Sequence, residues 1–79
     1  MTIDQIHTIL HLPERNEERF RFAANTLGLN QEFIHHNKYR LPTQGRGFDA
    51  QLKIAEVLQV LGAIDDWGIE ADNALVVWL

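Results

Sequence analysis

The chain has 79 residues, 46% of them hydrophobic and 23% charged, with no cysteine and a net charge of −4. A chain this short makes one small domain, residues 1–79, which buries only about 60% of its unfolded surface. The composition is globular rather than disordered, and the absence of cysteine excludes a disulfide framework and a cysteine-based zinc site.

In chain order, the first helix is expected over "TIDQIHTILHL". Thr2 serves as N-cap and Gln5 completes a capping box, each satisfying a backbone donor the helix leaves open. Ile3, Ile6 and Leu10 form one apolar stripe with Ile9 beside it. Pro13 ends this helix and opens a second that runs to Leu27, because its fixed φ and missing N–H suit a first turn. Phe20, Ala23, Ala24 and Leu27 form the inner stripe of that second helix. Gly28 follows where a left-handed residue is needed.

A short third helix is expected from Asn30, its cap, to about Asn37, with Phe33 and Ile34 inward. "KYRLPTQGRG" then reads as a loop or short strand. A fourth helix runs over "AQLKIAEVLQVL", capped by Asp49 and stopped by Gly62, with an apolar surface wide enough for a central helix. "AIDDWGIEADN" reads as a polar loop anchored by Trp67. "ALVVWL" reads as a strand, with a final helix capped by Asp72 as the alternative. A lone strand is not stable, so it must pair with "KYRL" or with the same strand of a second copy. The expected fold is therefore mainly α: a four-helix small domain with a helix-turn-helix-like pair and a short C-terminal β-strand. Its core should include Leu10, Phe20, Ala24, Leu27, Ile34, Leu52, Ala55, Leu58 and Leu61.

Residues 22–40, "FAANTLGLNQEFIHHNKYR", carry a resemblance. Ala24 is the small residue over which a second helix packs. Gly28 follows four positions later between Leu27 and Leu29, and Ile34 is the branched apolar residue beyond. Asn37 departs from the last apolar position, with Tyr39 as an imperfect substitute. The stretch resembles a generic helix-turn-helix DNA-binding motif; two helices that simply pack about a glycine turn fit the same residues. The resemblance implies a recognition helix in the major groove of double-stranded DNA. Asn30, Gln31, His35 and His36 would face the bases, while Lys38, Arg40 and Arg46 hold the phosphates. Glu32 would repel phosphate there unless it reads a cytosine.

The charge is unevenly spread. Residues 1–48 carry a net +1 and residues 49–79 a net −5, with no acid between Phe33 and Phe48. The acidic half supports a different reading, a protein-interaction module of the antitoxin, immunity or phage-inhibitor kind. It would bind a basic protein partner through Asp65, Asp66, Trp67, Glu70 and Trp78, since aromatic residues favour interface centres.

Catalysis is not expected. Serine and cysteine are absent and the only hydroxyl groups belong to threonine and Tyr39, so no Ser-His-Asp triad can form. "TQGRG" lacks the Lys-Ser/Thr ending of a P-loop. His7 and His11 have the i, i+4 spacing of a metal pair, with Asp4 one turn earlier, but helix-surface histidines are common and no metal or other cofactor is expected. No apolar run approaches the ~18 residues of a membrane span and no leader is visible. A cytoplasmic regulatory binding protein follows, with no membrane contact. It could form a homodimer through the C-terminal apolar segment.

Overall fold

The computed structural model describes residues 1–42, 47–71 and 74–79. Along the chain run α1 (Ile3–His11), α2 (Glu17–Thr26), β1 (Glu32–His35), β2 (Lys38–Leu41), α3 (Phe48–Val60), β3 (Asp66–Ile69) and β4 (Leu75–Trp78). The four strands form one antiparallel sheet in the order β1-β2-β4-β3. This is an α+β fold, and it overturns both the mainly-α expectation and the helix-turn-helix-like pair.

The helices keep most of their sequence signals. Thr2 and Gln5 form the capping box, with Thr2 N–H donating to Gln5 Oε1 at 2.8 Å and Gln5 N–H to Thr2 Oγ1 at 3.1 Å. The apolar stripe of α1 is rotated from the expected one. Ile9 is fully buried and Ile6 packs beside the core, while Ile3 and Leu10 are exposed. The second helix begins at Glu17, not Pro13, because Asn16 is the residue whose side chain accepts from Glu18 N–H. Arg15, at φ 49°, turns the chain just before it and donates its N–H to the Gly62 carbonyl at 2.7 Å. For α3 the cap is Gly47, without a side-chain bond. Asp49 instead lies in the first turn, where its charge favours the helix dipole.

Two glycines end two helices in the same way. After α2, Gly28 at φ +71° donates to Asn25 and Leu29 donates to Ala24. After α3, Gly62 at φ +67° donates to Gln59 and Ala63 donates to Leu58. Both are Schellman closures, which need a residue that adopts positive φ without strain. Gly62 has a second reason to be glycine: a Cβ there would lie 2.6 Å from Arg19 Nη1.

Arg19 joins the helical ends. It is only 7% exposed. Its Nε donates to the Leu12 carbonyl at 3.0 Å, Nη1 to Leu61 at 2.9 Å and Nη2 to Leu10 at 3.0 Å. One guanidinium thus meets open carbonyls at the C-terminal ends of α1 and α3, where a cation also suits both dipoles.

The expected third helix is absent. Residues 32–35 form β1, and His36 and Asn37 make the turn into β2, with Asn37 in the left-handed region at φ 62°. Asparagine tolerates that conformation better than most residues. The pairing of "KYRL" with the terminal strand is observed as β2 against β4, from Lys38 opposite Trp78 to Leu41 opposite Leu75. The expected polar loop around Trp67 is β3, paired to the other side of β4. With both edges of β4 occupied inside the chain, a second copy can reach this segment only through its outward side chains. The alternative of a final helix is overturned by β4; Asp72 lies outside the described residues.

Strand alternation divides the sheet into two faces. Tyr39, Leu41, Leu75 and Val77 turn toward the helices and join Ile9, Phe20, Ala24, Ala55 and Leu58 in one core cluster, with Trp67 and Ile69 packed against it. Of the expected core, Leu27 and Leu52 are half-buried, and Leu10 and Ile34 are exposed.

Tyr39 links the layers. Its ring centroid lies 4.7 Å from that of Phe20 and 5.7 Å from that of Phe33. Burial raises its hydroxyl above the usual pKa near 10, and Glu17 beside it adds to the rise. A folded-state pKa above the unfolded one means the folded chain holds this proton more tightly. The resulting stability is complete below pH 10 and lost as pH rises through the folded value. Tyr39 is the only tyrosine, so tyrosinate absorbance should titrate above pH 10 in the native protein and near 10 in denaturant. Coincident midpoints would show that the hydroxyl is solvated.

Candidate functional site

The face of the sheet turned away from the helices carries the chemistry. In register across the strands, one row reads His35, Lys38, Trp78, Asp66 and the next reads Glu32, Arg40, Val76, Gly68. Alternation puts these eight on the side opposite Tyr39 and Val77. Val76 is 1% exposed yet stands outside the helical core cluster.

Trp78 is the centre of this face and is 36% exposed. Gly68, its diagonal neighbour on β3, lies beside the indole, where a Cβ would sit in ordinary contact with the Trp78 ring at 3.7 Å. On the other side the Lys38 ammonium lies 5.3 Å from the ring centroid, a cation–π arrangement. Arg40 and Glu32 form an ion pair at 3.4 Å.

Both outer strands are blunted against pairing with another chain. The register of β1 breaks between Phe33 and His35, a bulge at Ile34, and bulges twist an edge away from a would-be partner strand. On β3, Glu70 N–H donates to Ala74, which sets the inward parity and turns the backbone groups of Trp67 outward. The Asp66 carboxylate folds back to accept that outward Trp67 N–H at 2.8 Å. With its edges guarded, the sheet offers its face.

The structure brings together residues that the sequence assigned to two different surfaces. His35, Lys38 and Arg40 from the basic segment share the open face with Asp66 and Trp78 from the acidic half. Other expected site residues lie elsewhere. Gln31 Nε2 bridges to Asn25 Oδ1 at 2.6 Å and to the Leu29 carbonyl, bracing the entry to β1 beside exposed Asn30. His36 sits in the hairpin turn, its carbonyl 3.1 Å from His35 Nδ1. Trp67 packs inward. Asp65 pairs with Arg15 at 3.7 Å on the surface, a contact of little energetic worth, and Glu70 is exposed at the end of β3. Arg46 lies outside the described residues.

Glu32, Gly68 and Val76 were missed as members of the face. The alternation of Lys38 and Arg40 with Tyr39 and Leu41 was the signal that β2 has an outer side, and β4 repeats it only at Trp78.

His11 Nδ1 donates to the His7 carbonyl at 2.7 Å. Among the described residues no group of three or more His, Cys, Asp or Glu is placed to hold a metal. A groove of about 650 Å³ between α1 and α2 is lined by Thr8, Leu12, Phe22 and the Glu17–Arg21 ion pair, among others. Thr8 Oγ1 in its wall donates to the Asp4 carbonyl. Among the described residues no helix is long and apolar enough to cross a membrane. No family model, curated protein or solved structure matches this chain.

Proposed function

We propose that this protein is a small non-catalytic interaction module that works through the open face of its sheet. The observation that carries this reading is Trp78, an indole 36% exposed and set between Lys38 and Asp66. Tryptophan and arginine dominate the energetics of protein interfaces when a polar rim surrounds them. Both signs of charge border Trp78, which suits a protein partner. A polyanion would meet Glu32 and Asp66 as well as Lys38 and Arg40, and Arg40 is already paired with Glu32. The acidic balance of the chain weakens phosphate binding further, since counterion release needs uncommitted cations.

Double-stranded DNA remains a second reading, on one observation. His35, His36, Lys38 and Arg40 follow one another along a single hairpin, and a two-stranded ribbon can enter a major groove.

The test compares wild type with Trp78→Ser and with Val60→Ser, which alters an exposed valine on α3 far from this face. Each is immobilised and exposed to extract of the cells that make the protein, and any retained partner is purified for titration. Trp78→Ser should weaken that partner by about thirtyfold, the scale of a hot-spot residue, while Val60→Ser leaves it unchanged. Equal loss or equal retention in both variants would refute the face as the contact. Duplex DNA titrated at about 50 and about 200 mM salt decides the second reading, because phosphate contacts give a steep fall in affinity with salt.

A further inference from the structure

We infer that the open face is a self-association surface, on which a second copy of this chain docks about a two-fold axis parallel to the strands and above the boundary between β2 and β4. The inference rests on the interaction reading above and names its partner. What carries it is the order of charge across the sheet.

Across one row the face runs from His35 and Lys38 on β1 and β2, through Trp78 on β4, to Asp66 on β3. Basic groups occupy one side, an aromatic the middle and an acid the far side. Such a gradient is complementary to its own image under rotation about an axis parallel to the strands. That rotation sets β1 over β3 of the second copy and β2 over β4. His35 then faces Asp66 of the second copy, and Lys38 faces its Trp78, the ring type it already approaches at 5.3 Å within the chain. Each contact occurs twice, as a closed two-fold interface requires.

The alternative face-to-face arrangement, with the axis across the strands, stacks β2 on β2. It brings Lys38 of each copy onto Arg40 of the other, a juxtaposition of like charges that complementary interfaces avoid and that Glu32, paired with Arg40, offsets only in part. The charge order therefore selects the axis. Edge-to-edge association is disfavoured by the bulge in β1 and by the Asp66 carboxylate on β3. Two sheets packed by their faces keep their strands within about 30° of one another, which preserves the pairing of rows.

The contact is small. Four strands about 4.8 Å apart and four residues long at about 3.3 Å each span roughly 19 by 13 Å. That is well below the ~800 Å² per partner of a stable interface, so association should be weak.

Sedimentation velocity from about 10 µM to about 1 mM is the first measurement, and a reversible monomer–dimer equilibrium within that window is expected. Asp66→Asn keeps an oxygen for the Trp67 N–H and removes the charge. It should weaken the dimer about tenfold, the scale of a lost hydrogen bond to a charged group across an interface. Asp66→Lys should weaken it further, and adding His35→Glu to Asp66→Lys should restore it to within about threefold of wild type, because the pair is reversed rather than broken. A protein that stays monomeric at the top of the range overturns the inference. So does a dimer that Asp66→Asn leaves unchanged, or a reversal that fails to recover. A monomer that still loses a purified partner on Trp78→Ser would overturn self-association alone and leave the interaction reading standing. A dimer indifferent to both Asp66→Asn and Trp78→Ser would remove the face from both.

Discussion

Replacing Arg19 with methionine should destabilise the domain by about 3 kcal/mol, since hydrogen bonds to charged groups contribute roughly 1.5–3 kcal/mol each and buried carbonyls left unmet add their desolvation cost. Methionine keeps much of the aliphatic stem, so the loss isolates the guanidinium. Three carbonyls, those of Leu10, Leu12 and Leu61, lose their donor together. The bond to Leu61 is buried and spans 42 positions of chain, so no local rearrangement can replace it. For 79 residues the whole stability is only about 4–12 kcal/mol at roughly 0.05–0.15 per residue. The expected fall in melting temperature is about 15 °C. Arg19→Lys should recover only part of it, because an ammonium is a point donor and cannot reach both helix ends as a planar fork does. Thermal denaturation followed by circular dichroism measures both. A shift of only a few degrees for the methionine variant would mean that water replaces the guanidinium and that the two helix ends do not depend on it.

Phe20→Ala should cost about 4 kcal/mol, within the 3–5 range for emptying a buried aromatic site. Phe20 has no exposed surface, and its ring meets Tyr39 at 4.7 Å with a 38° tilt. It is thus one contact through which α2 holds β2, beside the polar one from Glu17 to Tyr39, and through β2 the face that carries Lys38 and Arg40. Its loss should leave much of the protein unfolded at 25 °C, given the thin margin of so small a domain. Phe20→Leu, which fills most of the space, should cost under about 1.5 kcal/mol. Urea titration separates the two. If alanine and leucine give the same midpoint, the site collapses around the smaller residue and the ring contact with Tyr39 does little to hold the layers together.

Such local features as helix ends were legible because their causes are local. Thr2 and Gln5 lie three residues apart and bond each other whatever the rest of the chain does. Gly28 and Gly62 close helices because positive φ is cheapest for glycine. The terminal strand was legible in the β-branched and aromatic run that ends the chain, and "KYRL" in its alternation.

What misled was the stretch from Asn30 to Asn37. Its polar residues and its apolar pair suit a short helix as well as a strand, and a segment that short carries little intrinsic preference. The decision came from outside it. Phe33 packs edge-on against Tyr39, and β2 supplies the hydrogen-bond partners that hold residues 32–35 extended. The same reason hid β3: Asp66–Ile69 holds two polar-loop signals, an acid and a glycine, and becomes a strand because β4 lies beside it.

The candidate surface follows this division. Composition and charge determined a small cysteine-free domain, basic early and acidic late, with a tryptophan near its end. Only the tertiary structure decided that the basic and acidic segments meet on one face around Trp78. Register between strands distant in the chain is set by burying Tyr39, Leu41, Leu75 and Val77 together, and that burial leaves Lys38, Arg40, Trp78 and Asp66 on the other side. A one-residue slip would reverse both faces, and no local pattern in this sequence specifies the pairing without the core that enforces it.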